Sequence, residues 1–258
     1  MSRSARAKRH KLVCPPGWER LRARCLDGFR AFHAEGKVIN TPDGPYIFRD
    51  NGAKVLAVAH LDSVQRTRHF GFSPNCPGRL YCGQLDDRLG AHVILDVLPK
   101  LGCNVDVLLT DGEESCRSTA AHFVPGKEYN WMVEFDRTGT DVVTYQYESR
   151  DWLEALEKSG NCVGWGSYSD IAMLDHLDVC GVNWGVGFYD YHFRAAYCEI
   201  GELLESVKRF AGFYHAFADT RFPHLEEYWW EGLEEPTETQ RRFAWDDKTW
   251  EQYTRMDW

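Results

Sequence analysis

The chain has 258 residues, of which 43% are hydrophobic and 14% aromatic, enough to bury the core of one large domain or two small ones. A net charge of −9 argues against nucleic acid as a partner, and the chain lacks the run of about eighteen apolar residues that a membrane span requires. The nine cysteines include no Cys-x-x-Cys pair, which argues against a disulfide scaffold and against a thiolate zinc site.

The N-terminal segment 1–11 is basic but has no apolar stretch of the kind found in secretory signals. We therefore predict a flexible, solvated N-terminus and a cytoplasmic protein. In 12–36, apolar residues at helical spacing predict an amphipathic helix over one face of a sheet: Leu21, Cys25, Phe29 and Phe32.

The segment 55–62 reads Val-Leu-Ala-Val-Ala-His-Leu-Asp and predicts a strand that is buried on both faces. The turn signal Asn51-Gly52 precedes it, so we predict that this strand is the second arm of a hairpin whose first arm is 46–50. His60 and Asp62 come at the carboxyl end, which is the edge where ligands bind in open α/β sheets. A histidine that binds metal usually donates its other ring N–H to a carboxylate, so His60 can be a ligand and Asp62 can orient it.

Residues 63–83 show no periodicity, and we interpret them either as a wall of a cleft or as a plain surface loop. Asp86 and Asp87 come just before an apolar stripe that predicts a helix at 89–100. At that position the two carboxylates either cap the helix or contribute to a site.

The rest of the chain alternates predicted strands with predicted helices, which is typical of a three-layer α/β sandwich around a mainly parallel sheet. Strands are predicted at 104–110, 129–135, 142–147 and 179–188, and helices from 118, at 151–158 and at 202–217. The ends of these strands supply further acidic or imidazole side chains: Glu113, Glu114, Asp136 and His192.

We predict one catalytic domain at 12–220. Residues 221–258 hold five of the ten tryptophans, so we expect them to form an acidic, tryptophan-rich tail that packs on the domain. A partner-docking arm is the alternative for this segment.

The collected side chains offer oxygen and imidazole ligands without thiolates, a set that suits Zn²⁺, Mn²⁺ or Co²⁺. Several carboxylates in one cleft repel each other, and divalent cations remove that cost. Two such ions about 3.5–4 Å apart can activate a water molecule and polarise a substrate carbonyl.

In this arrangement the sequence resembles the binuclear zinc exopeptidase clan, which includes zinc aminopeptidases, glutamate carboxypeptidases and related deacylases. The resemblance covers about 40–217, and its motifs occur in the order of the clan. They are His60-Leu-Asp62, Leu85-Asp86-Asp87-Arg88-Leu-Gly90, Gly112-Glu113-Glu114, Glu134-Phe-Asp136, Ser169-Asp170 and Tyr191-His192.

Only 55 residues separate Asp136 from His192, too few for the inserted lid domain of the carboxypeptidases. The resemblance is therefore to the single-domain, aminopeptidase-like branch. It implies two divalent ions, with Zn²⁺ expected and Mn²⁺ or Co²⁺ as alternatives, and a cis peptide bond after the bridging aspartate. The implied ligands are His60, Asp86 and Asp136 for one ion and Asp86, Glu114 and His192 for the other.

The same resemblance implies that Glu113 is the general base and acid, and that Asp62 orients His60. The expected function is a metal-dependent hydrolase that cleaves a peptide or other amide bond with a two-metal-activated water, most simply as an aminopeptidase. Without a lid, the pocket walls are expected to come from 63–83, 137–140 and 164–170. In that pocket Asp170 is the candidate to hold a free α-amino group of the substrate.

Three alternatives remain open at this stage. They are a deacylase acting on a non-peptide amide, a mononuclear acyltransfer enzyme similar to glutaminyl cyclase, and a metal-binding module without catalysis. We expect a peptide or small amide as the substrate, and neither nucleic acid nor a membrane as a partner. The oligomeric state stays open.

Overall fold

The computed structural model describes residues 12–224, so the segment 1–11 and most of the proposed tail, 225–258, lie outside the described residues. Within this range, none of the helices is both long enough and apolar enough to cross a membrane.

A ten-stranded mixed sheet forms the centre of the described chain. Its strands are β1 (Lys37–Thr41), β2 (Gly44–Arg49), β3 (Val55–His60), β4 (Gly71–Ser73), β5 (Cys76–Tyr81), β6 (Asp106–Thr110), β7 (Trp131–Thr138), β8 (Val142–Val143), β9 (Gly181–Tyr189) and β10 (Tyr197–Glu199). The order across the sheet is β1-β2-β6-β3-β7-β9-β10-β5-β4, and β8 pairs with β9. The four central strands β6, β3, β7 and β9 are parallel, while both edges are antiparallel.

Four α-helices accompany the sheet: α1 (Glu19–Asp27), α2 (Arg88–His92), α3 (Arg150–Lys158) and α4 (Ile200–Phe217). Helix α2 continues through a π-helical turn at Val93–Val97 and a 3-10 turn at Leu98–Leu101. Gly102 ends it in the left-handed conformation with φ of +74°, as expected for a residue that follows a helix. Further 3-10 turns lie at Gly28–Phe32, Glu113–Ser115, Thr119–His122, Asp170–Met173 and Asp175–Leu177.

The buried side chains of β3 show how the three layers form. Successive residues of a strand point to opposite faces of the sheet. Val55, Ala57 and Ala59 join the larger core beneath the α-helices, whereas Leu56 and Val58 join a smaller core on the other face. That second face is covered by 3-10 turns rather than by long helices. The predicted three-layer sandwich with a mainly parallel sheet is confirmed.

The predicted hairpin between 46–50 and 54–59 is wrong, because β6 lies between β2 and β3 in the sheet. The hairpin in this part of the chain is instead formed by β1 and β2, which are joined by a tight turn and pair antiparallel. The Asn51-Gly52 turn does form, but its amides are held by β6. The backbone N–H groups of Asn51 and Ala53 donate to Asp106 Oδ1 over 2.8 and 3.0 Å.

Three other local predictions also need correction. Residues 63–83 contain the antiparallel strands β4 and β5 at the sheet edge, where exposure removes the apolar periodicity. The strand predicted at 142–147 is only β8, because Tyr145 and Gln146 have φ of +51° and +68°. The helix predicted from 118 is the single 3-10 turn at Thr119–His122.

The first residues of the predicted tail pack on the domain. Phe222 is buried, its ring centroid lies 4.9 Å from that of Trp152, and its carbonyl accepts a hydrogen bond from Cys180 N. The prediction for the remaining tail residues and for the basic N-terminus falls outside the described residues and stays a prediction.

Phe210→Ala should strongly destabilise the domain. The Phe210 ring is fully buried, with centroids 4.8 Å from Phe135 and 5.2 Å from Trp184. Removing a buried phenylalanine ring typically lowers the free energy of unfolding by about 3–5 kcal/mol. The control is Leu204→Ala on the exposed face of α4, and urea unfolding followed by circular dichroism measures both. Equal losses in the two variants would contradict this assignment of the core.

Candidate metal centre

The candidate residues meet at the carboxyl edge of the parallel strands. His60 is the last residue of β3, and Glu113 and Glu114 form the 3-10 turn that follows β6. Asp136 lies on β7, and His192 follows the end of β9. Parallel neighbours end at the same edge of a sheet, so residues far apart in the sequence come together there.

Asp86 is shared by two groups of potential ligands. One group is His60, Asp86 and Asp136, the other is Asp86, Glu114 and His192, and within each group the ligand atoms lie within 4.8 Å of one another. Asp86 Oδ1 is 2.9 Å from His60 Nε2, while Asp86 Oδ2 is 3.3 Å from His192 Nε2. The two oxygens of one carboxylate thus serve different groups, as a bridging ligand requires.

The two adjacent aspartates have different functions in the structure. Asp87 is buried and caps helix α2, because its side chain accepts a hydrogen bond from Gly90 N at 3.0 Å. Asp86 faces the ligand groups instead. Both interpretations of the pair therefore apply, one to each residue. The peptide bond between Asp86 and Asp87 is cis, as the resemblance implied.

Asp62 connects His60 to the glutamate pair. Asp62 Oδ1 lies 3.4 Å from His60 Nδ1, close enough for an ionic contact but without hydrogen-bond geometry. The Asp62 carboxylate also accepts hydrogen bonds from the backbone N–H groups of Glu113, at 3.3 Å, and Glu114, at 3.1 Å. Its best-aligned contacts therefore hold the turn that carries both glutamates.

Two residues of the segment after β3 donate hydrogen bonds to members of the second ligand group, Glu114 and His192. Val64 N donates to Glu114 Oε1 at 3.3 Å, and Glu114 Oε2 lies 2.9 Å from His192 Nε2. Gln65 Nε2 donates to the carbonyl of His192 over 2.7 Å. His192 has φ of +65°, so this contact helps to hold a backbone conformation that L-residues seldom adopt.

The charges of the site are strongly coupled. Burial alone would lower the pKa of His60, but Asp136, Asp62 and Asp86 raise it well above its usual value. Hydrogen bonds to Asp86 and Glu114 raise the pKa of His192 to about 10. Considered without ions, both imidazoles therefore hold protons among the carboxylates.

The residues fit a divalent metal pair. The buried ring nitrogens of His60 and Asp136 Oδ1 have no hydrogen-bond partner among the described residues. Such atoms are costly to bury unless something binds them. Imidazole nitrogen and carboxylate oxygen are the ligands that zinc and similar ions use. The shared Asp86 matches the bridging ligand of two-ion sites.

Glu113 lies beside this centre but outside both ligand groups. Its Oε2 is 3.8 Å from His60 Nε2, and the side chain lines the neighbouring cavity. Burial raises the pKa of the Glu113 carboxyl to about 8, although the charge of His60 opposes this shift. A carboxyl that gains and loses a proton near neutral pH suits general acid–base chemistry.

Asp170 does not face the cavity. Its side chain is fully buried, accepts a hydrogen bond from Thr110 Oγ1, and is not among the residues that line the cavity. Burial also raises the pKa of Asp170 and favours its neutral form. This position does not suit a partner for the amino group of a substrate, and the prediction of substrate binding by Asp170 needs correction.

A cavity of about 440 Å³ opens beside the ligand groups. Its walls come from the expected segments 137–140 and 164–170, while the expected segment 63–83 contributes nothing to the lining. Arg137 and Trp165 lie in those expected segments, whereas sequence reasoning did not identify Tyr145 or Tyr191 as lining residues. For Tyr191 a signal existed, because it directly precedes the candidate ligand His192; Tyr145 follows β8 with a φ of +51°, which the local sequence does not indicate.

The sequence matches no protein-family model, and no curated protein matches it either. Solved structures do match. The structure of PhTET1-12s, a dodecamer in the asymmetric unit, has a TM-score of 0.52 and 13% identity, covering 79% of this chain and 99% of that one. A tripeptidase from Staphylococcus aureus subsp. aureus mu50 has a TM-score of 0.51 and 10% identity, covering 78% and 91%.

A glutaminyl cyclase from Porphyromonas gingivalis has a TM-score of 0.49 and 14% identity, covering 70% of this chain and 82% of that one. These first two structures, with TM-scores of 0.52 and 0.51, match most of both chains at very low identity. They confirm the predicted fold, and the chain has the α/β fold of the zinc exopeptidases.

Proposed function

We propose that this protein is a metal-dependent hydrolase that cleaves a peptide or other amide bond. The observation that carries the proposal is the Asp86 carboxylate, whose two oxygens lie between His60 and His192 at the centre of two ligand groups. Glu113 stands next to these groups on the wall of the cavity.

In this proposal His60 and Asp136 would hold one ion, Glu114 and His192 would hold the other, and Asp86 would be a ligand to both. Zinc suits this set of nitrogen and oxygen ligands. A bound pair of divalent ions supplies Lewis acidity that polarises the substrate carbonyl and makes water more acidic. The four carboxylates that line the cavity, Asp86, Glu113, Glu114 and Asp136, carry the negative charge that two such ions balance.

Glu113 moves the proton in the reaction that we propose. One of its carboxylate oxygens accepts a proton from the attacking water as the water oxygen bonds to the carbonyl carbon. The C–N bond then breaks, and Glu113 gives the proton to the departing nitrogen. A buried carboxyl among other carboxylates holds a proton more readily than one in water, which suits both halves of this transfer.

Asp62 fixes the backbone turn that points the side chains of Glu113 and Glu114 at different parts of the site. Because it accepts hydrogen bonds from both backbone N–H groups, the turn at Glu113–Ser115 is held against the end of β3. In that orientation Glu114 reaches His192, while Glu113 lies on the His60 side and remains free of the ligand groups.

Two complete ligand groups favour a binuclear hydrolase over the alternatives. A mononuclear acyltransfer enzyme does not need both groups, and a binding module without catalysis does not need Glu113. Between peptidase and deacylase the metal centre itself makes no distinction, since both reactions break a C–N bond of an amide.

Metal analysis tests the first step of the proposal. The protein reconstituted with zinc should hold about two ions per chain, because five ligands of these types converge. Occupancy should fall as the pH is lowered, because protons compete for His60 and His192, whose pKa values the neighbouring carboxylates raise. Elemental analysis across a pH series measures this.

Asp86→Asn should reduce the occupancy of both sites, while Asp175→Asn at an exposed position should leave two ions bound. A reconstituted wild-type protein with at most one ion would refute the binuclear centre.

A pair of isosteric variants tests the assignment of the two glutamates. Glu113→Gln cannot accept a proton, so turnover should fall by about 10²- to 10⁴-fold while both ions stay bound. Glu114→Gln should instead weaken one metal site, because a neutral amide oxygen is a poorer ligand than a carboxylate. Metal content and rate should be measured on the same preparations. If Glu113→Gln loses metal and Glu114→Gln keeps it, the two roles are exchanged.

A substrate panel tests the reaction class. The zinc-loaded protein should release amino acids or acyl groups from short peptides and N-acyl amino acids, as detected by mass spectrometry of the products. Glu113→Gln is the matched inactive control for contaminating hydrolases. If cyclisation of N-terminal glutamine proceeds while no amide is hydrolysed, the acyltransfer alternative replaces the hydrolase.

A further inference from the structure

The cavity contains one basic side chain that the proposed chemistry does not use. Its acidic lining residues are Asp86, Glu113, Glu114 and Asp136, all of which already have a task as a ligand or in proton transfer. The lining contains a single Lys or Arg residue, Arg137. No acidic residue of the lining is therefore available to bind a substrate amine, whereas the cationic side chain of Arg137 is available to bind an anion.

A β-bulge explains how Arg137 reaches the same cavity as its neighbour. Consecutive residues of a regular strand point to opposite faces. The pairing of β7 with β9 shifts register between Glu134 and Arg137, and again between Arg137 and Thr138. Bulges of this kind redirect side chains and are common next to active sites. Asp136 and Arg137 therefore both line the cavity.

The guanidinium of Arg137 is held in one orientation. Nε and Nη2 donate to the two oxygens of Asp141, each over 3.0 Å. Among the described residues, Nη1 has no hydrogen-bond partner, so its N–H groups remain for a ligand. Asp141 itself is not part of the lining. A guanidinium that is hydrogen-bonded along one edge and has free N–H donors on the other is preorganised to bind a planar anion such as a carboxylate.

The surroundings of Arg137 suit a small organic acid. Tyr145 and Tyr191 line the same cavity as Arg137 and present phenolic hydroxyl groups there. Trp165 and Phe188 add apolar surface for a substrate side chain. The cavity of about 440 Å³ is of the size that binds small molecules.

We propose that Arg137 binds a free carboxylate of the substrate, and that this contact sets the substrate class. The substrate is then an amide that carries a carboxylate near the scissile bond, either a short peptide with a free C-terminus or an N-acyl amino acid. This inference rests on the proposed function for the reaction, but the recognition of the carboxylate can be measured independently of turnover.

The kinetic test compares acids with their neutral amides. One arm uses leucyl-phenylalanine and its C-terminal amide, and the other uses N-acetylphenylalanine and its amide. The released leucine or acetate is measured. Wild-type zinc-loaded protein should prefer the acid by about 10- to 100-fold in kcat/KM in at least one arm, the range expected for charge-assisted hydrogen bonds. The arm that shows turnover identifies the substrate class.

The variant Arg137→Gln should abolish this preference, chiefly through a higher KM for the acid. Arg137→Lys keeps the charge without the planar fork and should recover part of the preference. The matched control is Arg150→Gln. Arg150 also pairs with a carboxylate four residues later, that of Glu154, but neither residue lines the cavity. This variant should keep the wild-type ratio. Thermal unfolding of each variant shows whether the fold is intact.

Calorimetry provides the second readout. A dipeptide isostere with CH₂–NH in place of the scissile amide is titrated into the zinc-loaded protein as the free acid and as the carboxamide. The wild type should bind the acid at least about 10-fold more tightly than the carboxamide. Arg137→Gln should bind the acid and the carboxamide with equal affinity. If neither substrate arm is hydrolysed but this difference is found, the reaction class fails and the carboxylate site stands.

Two outcomes overturn the inference. One is a wild-type protein that neither binds nor hydrolyses the acid better than the amide. The other is an Arg137→Gln protein that loses binding and turnover for acid and amide to the same extent. In the second case the Arg137–Asp141 pair only supports the loop after β7.

Discussion

The Asp86 carboxylate is the interaction on which the site depends. It lies between two imidazoles that come from opposite parts of the chain, one at the end of β3 and one after β9. Burial alone would raise the pKa of Asp86, but His192 and His60 lower it, so the group stays ionised in a crowded acidic setting. Without a cationic partner on both of its oxygens, a carboxylate in this place would be costly to bury.

The parallel centre of the sheet makes this arrangement rigid. Strand β3 is buried along its whole length and pairs with β6 on one side and β7 on the other, so three strand ends keep a constant spacing. The side chains behind the edge form a second, neutral layer. Burial raises the pKa of Asp87, Glu134 and Asp170, which favours their protonated forms. Asp86, which lines the cavity, has a lowered pKa and stays ionised.

Irregular backbone adds specificity to this regular frame. The irregular pairing of β7 allows Arg137 and Asp136 to line the same cavity, and Tyr145, two residues after β8, has a positive φ and also lines it. These features lie at the ends of strands, where a local distortion costs few ladder hydrogen bonds. Most of the candidate metal ligands lie on or just after parallel strands, whereas Arg137, which we propose binds the substrate, lies where the β7–β9 pairing is irregular.

The sequence by itself determined the buried strand at 55–60, the helix after the Asp86-Asp87 pair and the set of candidate ligand types, because these depend on local patterns of apolar, acidic and glycine residues. Only the tertiary structure decided that β6 separates β2 from β3, since a tight-turn signal does not specify which strand pairs next. The burial of Asp170 likewise depends on Thr110, sixty residues away in the chain. The position of Arg137 depends on how β7 pairs with β9, and such long-range pairing leaves no periodicity in the local sequence.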